Sequence, residues 1–406
     1  MTRRASLVRR LARSDSGFTI VEMLVATAIM VTITGAIFGL LNPATGIFHA
    51  QPEVSDMQQR LRVGADSLEK DILMAGAGTY VGAGAGALYN FFAPVMPYRS
   101  GTDSDPKKGV FYRPDTISIL YVPPSPAQTT LRQDMPQPSA ELKVEPENNC
   151  GDKHDALCGF EEGMTVIIFD SSGSLDWMKV TNVQDEALHL QHNEDQLSTQ
   201  YTVGANITQV AMHTYYLKTD VATNTYQMMH YDGWKTDTPV VDNVVDLKFE
   251  YFGEPQPPQL LPNAVLANTN KGPWTTYGPR PPALGVDVES DTWGAGENCT
   301  FTVSGGMTVP RLPVLGDGVS QQPLTAEMVQ DGPWCPDATK VNRYDADLLR
   351  IRRVRVTLRV QVAQATLRGP AGVLFTHGGT SQGGERYVPD QQLRFDITPR
   401  NMNLGR

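Results

Sequence analysis

From Phe18 to Leu41 the chain is apolar apart from one charged residue, Glu22. At a helical rise of about 1.5 Å per residue this run reaches roughly 36 Å, enough to cross a hydrocarbon core of about 30 Å. A carboxylate left alone in lipid costs about 2.5–3.5 kcal/mol, so Glu22 calls for a specific partner. A basic segment with Arg3, Arg4, Arg9, Arg10 and Arg13 precedes the run. Gly35, Gly39 and Pro43 disfavour helix, so the pattern predicts bending or loosening across 39–52. From about Glu53 to Ala75 the apolar residues Met57, Leu61, Ala65, Leu68 and Ile72 recur at steps of three or four. Gln58, Arg62, Asp66, Glu69 and Lys70 fill the other positions, which predicts a helix packed on a sheet along one face. Gly76, Gly78, Gly82, Gly84 and Gly86 then terminate it.

Beyond about Val110 the period changes to two. Thr116–Val122 reads as a strand stopped by Pro123 and Pro124, and 123–164, rich in Pro and polar residues, reads as a long loop. Thr165–Phe169, Trp177–Val183 and Ala187–Gln191 read as short antiparallel strands, the first pair joined by the turn Asp170-Ser171-Ser172-Gly173. Ile207–Lys218 and Tyr226–Tyr231 form another hairpin. In Val244–Phe252, Val245, Leu247, Phe249 and Tyr251 alternate with Asp246, Lys248 and Glu250. In Ile351–Gln364, Val354, Val356, Leu358, Val360 and Val362 oppose an Arg-rich face, with a phase break predicting a bulge near Arg352-Arg353. Pairing these two segments would set Arg beside Asp246 or Glu250. A last strand is expected over Gln392–Thr398. Residues 253–340 are Pro/Gly-rich with few apolar runs and read as a large insertion outside the core. The class is α+β: a long N-terminal helix on an antiparallel β-rich head.

The 406 residues carry a formal charge of −10. Residues 1–17 hold five Arg and Asp15, so without them the charge is −14. An acidic exterior argues against non-specific nucleic-acid binding, and no nucleic-acid partner is expected. Four cysteines without a C-x-x-C spacing give poor support for zinc or thioredoxin-like chemistry. Nearest neighbours would pair Cys150 with Cys158 and Cys299 with Cys335, one of three connectivities; free thiols are the alternative.

Other candidate chemistry is weak. Gly379-Thr380-Ser381-Gln382-Gly383 matches G-x-S-x-G, with His377 nearby, but Gly383, Gly384 and Pro389 are poor followers for a nucleophile elbow, which needs a helix there. It reads as a strand connection. His189 and His192 face opposite sides of a strand and read as surface residues rather than metal ligands. Asp103 with Asp105, and Asp345 with Asp347, lack calcium-loop geometry and read as solvated turns. The Arg face of 350–359 reads as a basic strand with acidic neighbours. Trp274, Trp293 and Trp334 either pin the insertion to the sheet or form a binding surface. No metal, cofactor or catalytic set is expected, and the chain is read as a non-enzyme.

The leader resembles that of type IV prepilins: a basic segment ending at Gly17, then Phe18, then Glu22 inside an apolar helix. The resemblance implies a pilin-like fold and cleavage of Gly17–Phe18 by a prepilin peptidase. It also implies N-methylation of Phe18, and pairing of Glu22 with a neighbouring subunit's N-terminal amine. An ordinary secretory signal would instead be cut at a small-x-small site such as Ala26-Thr27-Ala28. Shorter stretches look like PilW-like minor pilins: 240–247, 349–356, Glu69-Lys70-Asp71-Ile72 and Pro399-Arg400-Asn401-Met402. The implied organisation is a leader at 1–17, a membrane and filament-core helix at 18–41, an amphipathic spine at 42–78 and a β-rich head at 79–406 with an insertion at about 253–340. The implied role is a minor pilin, inserted in the inner membrane and then displayed on the pilus with its head outside. Its partners would be the peptidase, other pilins and the inner-membrane assembly machinery. A pseudopilin of a type II secretion system and a pilus-tip adhesin are the alternatives.

Overall fold

The computed structural model describes residues 17–78, 92–101, 111–147, 150, 155–192, 197–234, 236–261, 274–286, 290–380 and 387–403. The segment 1–16, Gly82, Gly84, Gly86, Asp103, Asp105 and residues 381–386 lie outside the described set. The architecture is α+β, dominated by antiparallel strands.

One helix, α1 (Ile20–Met74), covers both N-terminal apolar patterns in 55 residues. At the ideal rise it is about 82 Å long. Where bending or loosening was expected, over 39–52, the helix continues unbroken through Pro43 and Pro52. Each proline removes one backbone bond, while the turns on either side keep theirs and helix growth is cooperative. The stretch Ile20–Leu40 is long and apolar enough to cross a membrane, and all of its residues are exposed. Farther along, Met57, Leu61, Leu68 and Ile72 are buried. Gly64, which the apolar stripe did not flag, is the point of closest approach. A Cβ there would stand 2.7 Å from Leu358 Cδ2 and 3.3 Å from Val241 Cγ2. The helix ends at Gly76 and Gly78, both with positive φ. Gly76 N–H donates to Leu120 O and Val122 N–H to Ala77 O, tying the helix end to a strand.

Two sheets share the core with α1. The first orders its strands Val95–Met96, Thr116–Tyr121, Ala211–Asp220, Thr225–Tyr231 and Asp237–Asp242. Asn243, with φ +57, turns the chain out of this sheet and into the next; Asn is among the few residues that tolerate that region. The second sheet orders Gln322–Leu324, Val244–Gly253, Ile351–Val360 and Gln391–Ile397. Leu247, Phe249, Tyr251, Val354, Val356 and Leu358 pack in one cluster with Leu61, Leu68 and Ile72 of α1. The register sets Asp246 against Arg359 and Glu250 against Arg355, and it shifts between Phe252 and Gly253, so Arg352 is the extra residue of a bulge.

Three expectations for the head need correction. The stretch 123–164 is not a plain loop: it contributes Gln128–Thr130 and Leu142–Lys143 to a second β unit. That unit joins a sheet of Gln128–Thr130, Asn206–Gln209, Thr165–Phe169 and Leu175–Lys179 to one of Leu142–Lys143, His189–Gln191 and Asn182–Gln184. Leu131, Leu142, Val144, Val166, Ile168 and Tyr201 fill its interior. Phe169, Trp177 and Met212 belong to a further cluster that joins the unit to the first sheet through Leu120. The expected hairpin from Ile207 is split, since Asn206–Gln209 and Ala211–Asp220 serve different sheets. Nor does 253–340 stand outside the core. Gln322–Leu324 extends the second sheet, and Tyr277, Cys299, Leu312 and Val329 are buried in the principal cluster. Isolated aromatic residues among Pro and Gly carry no periodic signal, so their burial is set by tertiary contacts alone.

Candidate functional site

The N-terminal site is built on the first turn of α1. Gly17, Phe18 and Thr19 precede the helix, and Thr19 is extended with φ −77 and ψ 151. The Gly17–Phe18 peptide is exposed, and nothing lies within 4 Å of a Cβ placed on Gly17. Phe18 is 85% exposed. Thr19 and Glu22 form a reciprocal capping box. Thr19 N–H and its hydroxyl both donate to Glu22 Oε2, at 2.9 and 2.8 Å, while Glu22 N–H donates to Thr19 Oγ1 at 3.2 Å. A carboxylate has about four acceptor positions. The box uses two of them on one oxygen, leaving capacity for an ammonium. Among the described residues no cation stands within ion-pair distance of Glu22.

Other candidates separate by burial. Disulfides join Cys150 to Cys158 and Cys299 to Cys335. The Arg face is internally paired: Arg353 and Arg355 with Asp396, Arg359 with Asp390, and Arg352 with Glu254. Glu250, opposite Arg355 in register, instead takes Arg394 and Lys248. Trp293 donates to Pro336 O at 2.7 Å and carries Arg311 over its ring, which fixes that loop. Trp334–Cys335 pairs as a short strand with Tyr344–Asp345. The His377 and Tyr226 rings lie 4.1 Å apart in a tilted arrangement, and Ser381 lies outside the described residues.

Two sequence readings are corrected here. His192 is buried rather than on the surface, its Nε2 lying 2.8 Å from Ala140 O, and His189 is half-buried beside Glu141. Asp345 and Asp347 are not solvated turns. Asp345 is fully buried, accepting from Gly332 N–H at 2.7 Å and Asp347 N–H at 2.9 Å. Asp347 lies 3.0 Å from Arg350, itself wholly buried. Burial pushes Asp345 up to about 7 and Asp347 up to about 6.

A constellation that sequence reading missed lies at the far end of α1. Asp71, on the last turn, meets His213 of Ala211–Asp220 and His230 of Thr225–Tyr231. Register places Tyr215 opposite His230, so His213, Tyr215 and His230 share one sheet face. His213 Nδ1 is 2.8 Å from His230 Nε2 and 3.4 Å from Asp71 Oδ2. The Tyr215 hydroxyl donates to Asp71 Oδ2 at 2.6 Å, and the Tyr121 hydroxyl lies 3.2 Å from His213 Nε2. Burial lowers the pKa of both imidazoles. The spacing between residues 71, 213 and 230 hides the group; only the strand pairing unites it. No family model, curated protein or solved structure matches the chain.

Proposed function

We propose that this protein is a minor pilin of a type IV pilus: a prepilin cleaved at Gly17–Phe18 and assembled through its N-terminal helix. The observation that carries this reading is Glu22, the sole charge in the apolar run, five residues after an exposed glycine. Cleavage creates an ammonium on Phe18 beside lipid. A neighbouring subunit's Glu22 neutralises it, and two opposite charges out of water are tolerable only as a pair. The unpacked helix Ile20–Leu40 then bundles with those of other subunits, which replaces lipid contacts by helix contacts. The rest of α1 holds the head at a fixed distance. The protein resides in the inner membrane before assembly and on the filament afterwards, and its role is structural assembly rather than turnover.

The test separates charge from capping. Glu22→Gln keeps a side-chain acceptor for Thr19, since a capping box accepts Glu or Gln. Both Glu22→Gln and Glu22→Ala are expected to be processed normally yet to be depleted from sheared filaments. Wild-type amounts of the Gln variant in the filament fraction would overturn the charge-pairing role.

A further inference from the structure

We infer that Asp71, His213 and His230 form a binding site for one divalent ion of the zinc class. Their candidate ligand atoms lie within 4.8 Å of one another. Two imidazole nitrogens and a carboxylate oxygen select a borderline ion over calcium or magnesium, which prefer oxygen alone. Zinc bonds of about 2.0–2.1 Å in tetrahedral geometry separate ligand atoms by about 3.3 Å. The Asp71–His213 distance of 3.4 Å already matches this. The His213–His230 distance of 2.8 Å opens by about half an ångström, a small rotation of half-buried rings.

The surrounding groups favour the ion independently. Metal-bound His and carboxylate ligands are held by outer hydrogen bonds. Here Tyr215 donates to Asp71, and Tyr121 stands at the far nitrogen of His213, so that nitrogen can carry its proton toward the Tyr121 oxygen. The last turn of α1 carries no basic residue. A helix C-terminus bears partial negative charge, and a cation beside Asp71 supplies the missing compensation. Three protein ligands leave a fourth position for water. The ion would join the end of α1 to two adjacent strands of the first sheet, at the end opposite Glu22.

The test uses full-length protein in detergent, stripped with chelator and dialysed against zinc chloride. The expected result is one zinc per chain by elemental analysis, reduced to background in both His213→Gln and His230→Gln. Tyr215→Phe removes an outer hydrogen bond and is expected to weaken zinc affinity about 10- to 100-fold. Cobalt(II) is the second probe on unmutated protein, so the site stays testable even where a variant fails to fold. An intense visible band typical of four-coordinate cobalt, displaced by one equivalent of zinc, supports the site. No stoichiometric zinc in the wild type, equal zinc in wild type and His variants, or the pale spectrum of aqueous cobalt would each overturn it.

Discussion

Gly64→Ala pits two opposing terms of known size against each other. Ala in place of Gly favours helix by about 1 kcal/mol. The new Cβ would meet Leu358 Cδ2 at 2.7 Å and Val241 Cγ2 at 3.3 Å. Both partners are buried on strands packed against α1, so Leu358 must shift within the core to admit the methyl. Overpacking of this kind costs about 1–3 kcal/mol. The packing term wins, and the expected net loss is on the order of 1 kcal/mol. Leu358→Ala alone should cost about 2–5 kcal/mol through its cavity. In the double variant the new methyl points into that cavity, so Gly64→Ala becomes neutral or stabilising. The cycle is expected to show a favourable coupling of about 1–3 kcal/mol. Denaturant unfolding of the oxidised full-length protein, followed by tryptophan fluorescence, reads it, because all five tryptophans lie in the head. A Gly64→Ala protein as stable as wild type, with zero coupling to Leu358, would refute this packing.

Asp345 sets a pH dependence. Its folded pKa of about 7 exceeds the ordinary 3.8, so between those values the folded chain keeps a proton that the unfolded chain has released. Its contribution to stability therefore falls as pH rises from about 4 to about 7 and is level above, with Asp347, raised to about 6, acting in the same direction. Asp345→Asn should flatten the melting-temperature profile over that window, and an unchanged slope would count against the buried cluster. For Gly17→Leu, no atom of the described residues lies within 4 Å of the new Cβ. The head should melt as in wild type while the chain no longer shortens on a gel when the peptidase is present; normal shortening would contradict the cleavage reading.

Periodic segments were legible in the sequence and irregular ones were not. Val244–Gly253 and Ile351–Val360 announced themselves by strict alternation, and even the bulge at Arg352 left a phase break. The buried stripe of α1 was equally clear, except that Gly64 reads as a weak helix former when taken alone. The residues of 253–340 and 123–164 could not be read, because Tyr277, Leu312, Leu131 and Leu142 are single apolar positions buried by distant partners. Burial of Asp345, Asp347 and Arg350 was hidden for a related reason: charged residues just before a strand look solvated until the core closes over them. The lone charge at Glu22 was legible because it is a local feature of the sequence. The Asp71–His213–His230 group was not, because it depends on strand register and on where α1 ends.

The most direct test is the mass and N-terminal sequence of the protein after co-expression with a prepilin peptidase. The expected product begins at Phe18 and carries one methyl group on its terminal amine. A chain that keeps Met1, or one that begins at Ile29 after cleavage behind Ala28, would contradict the account.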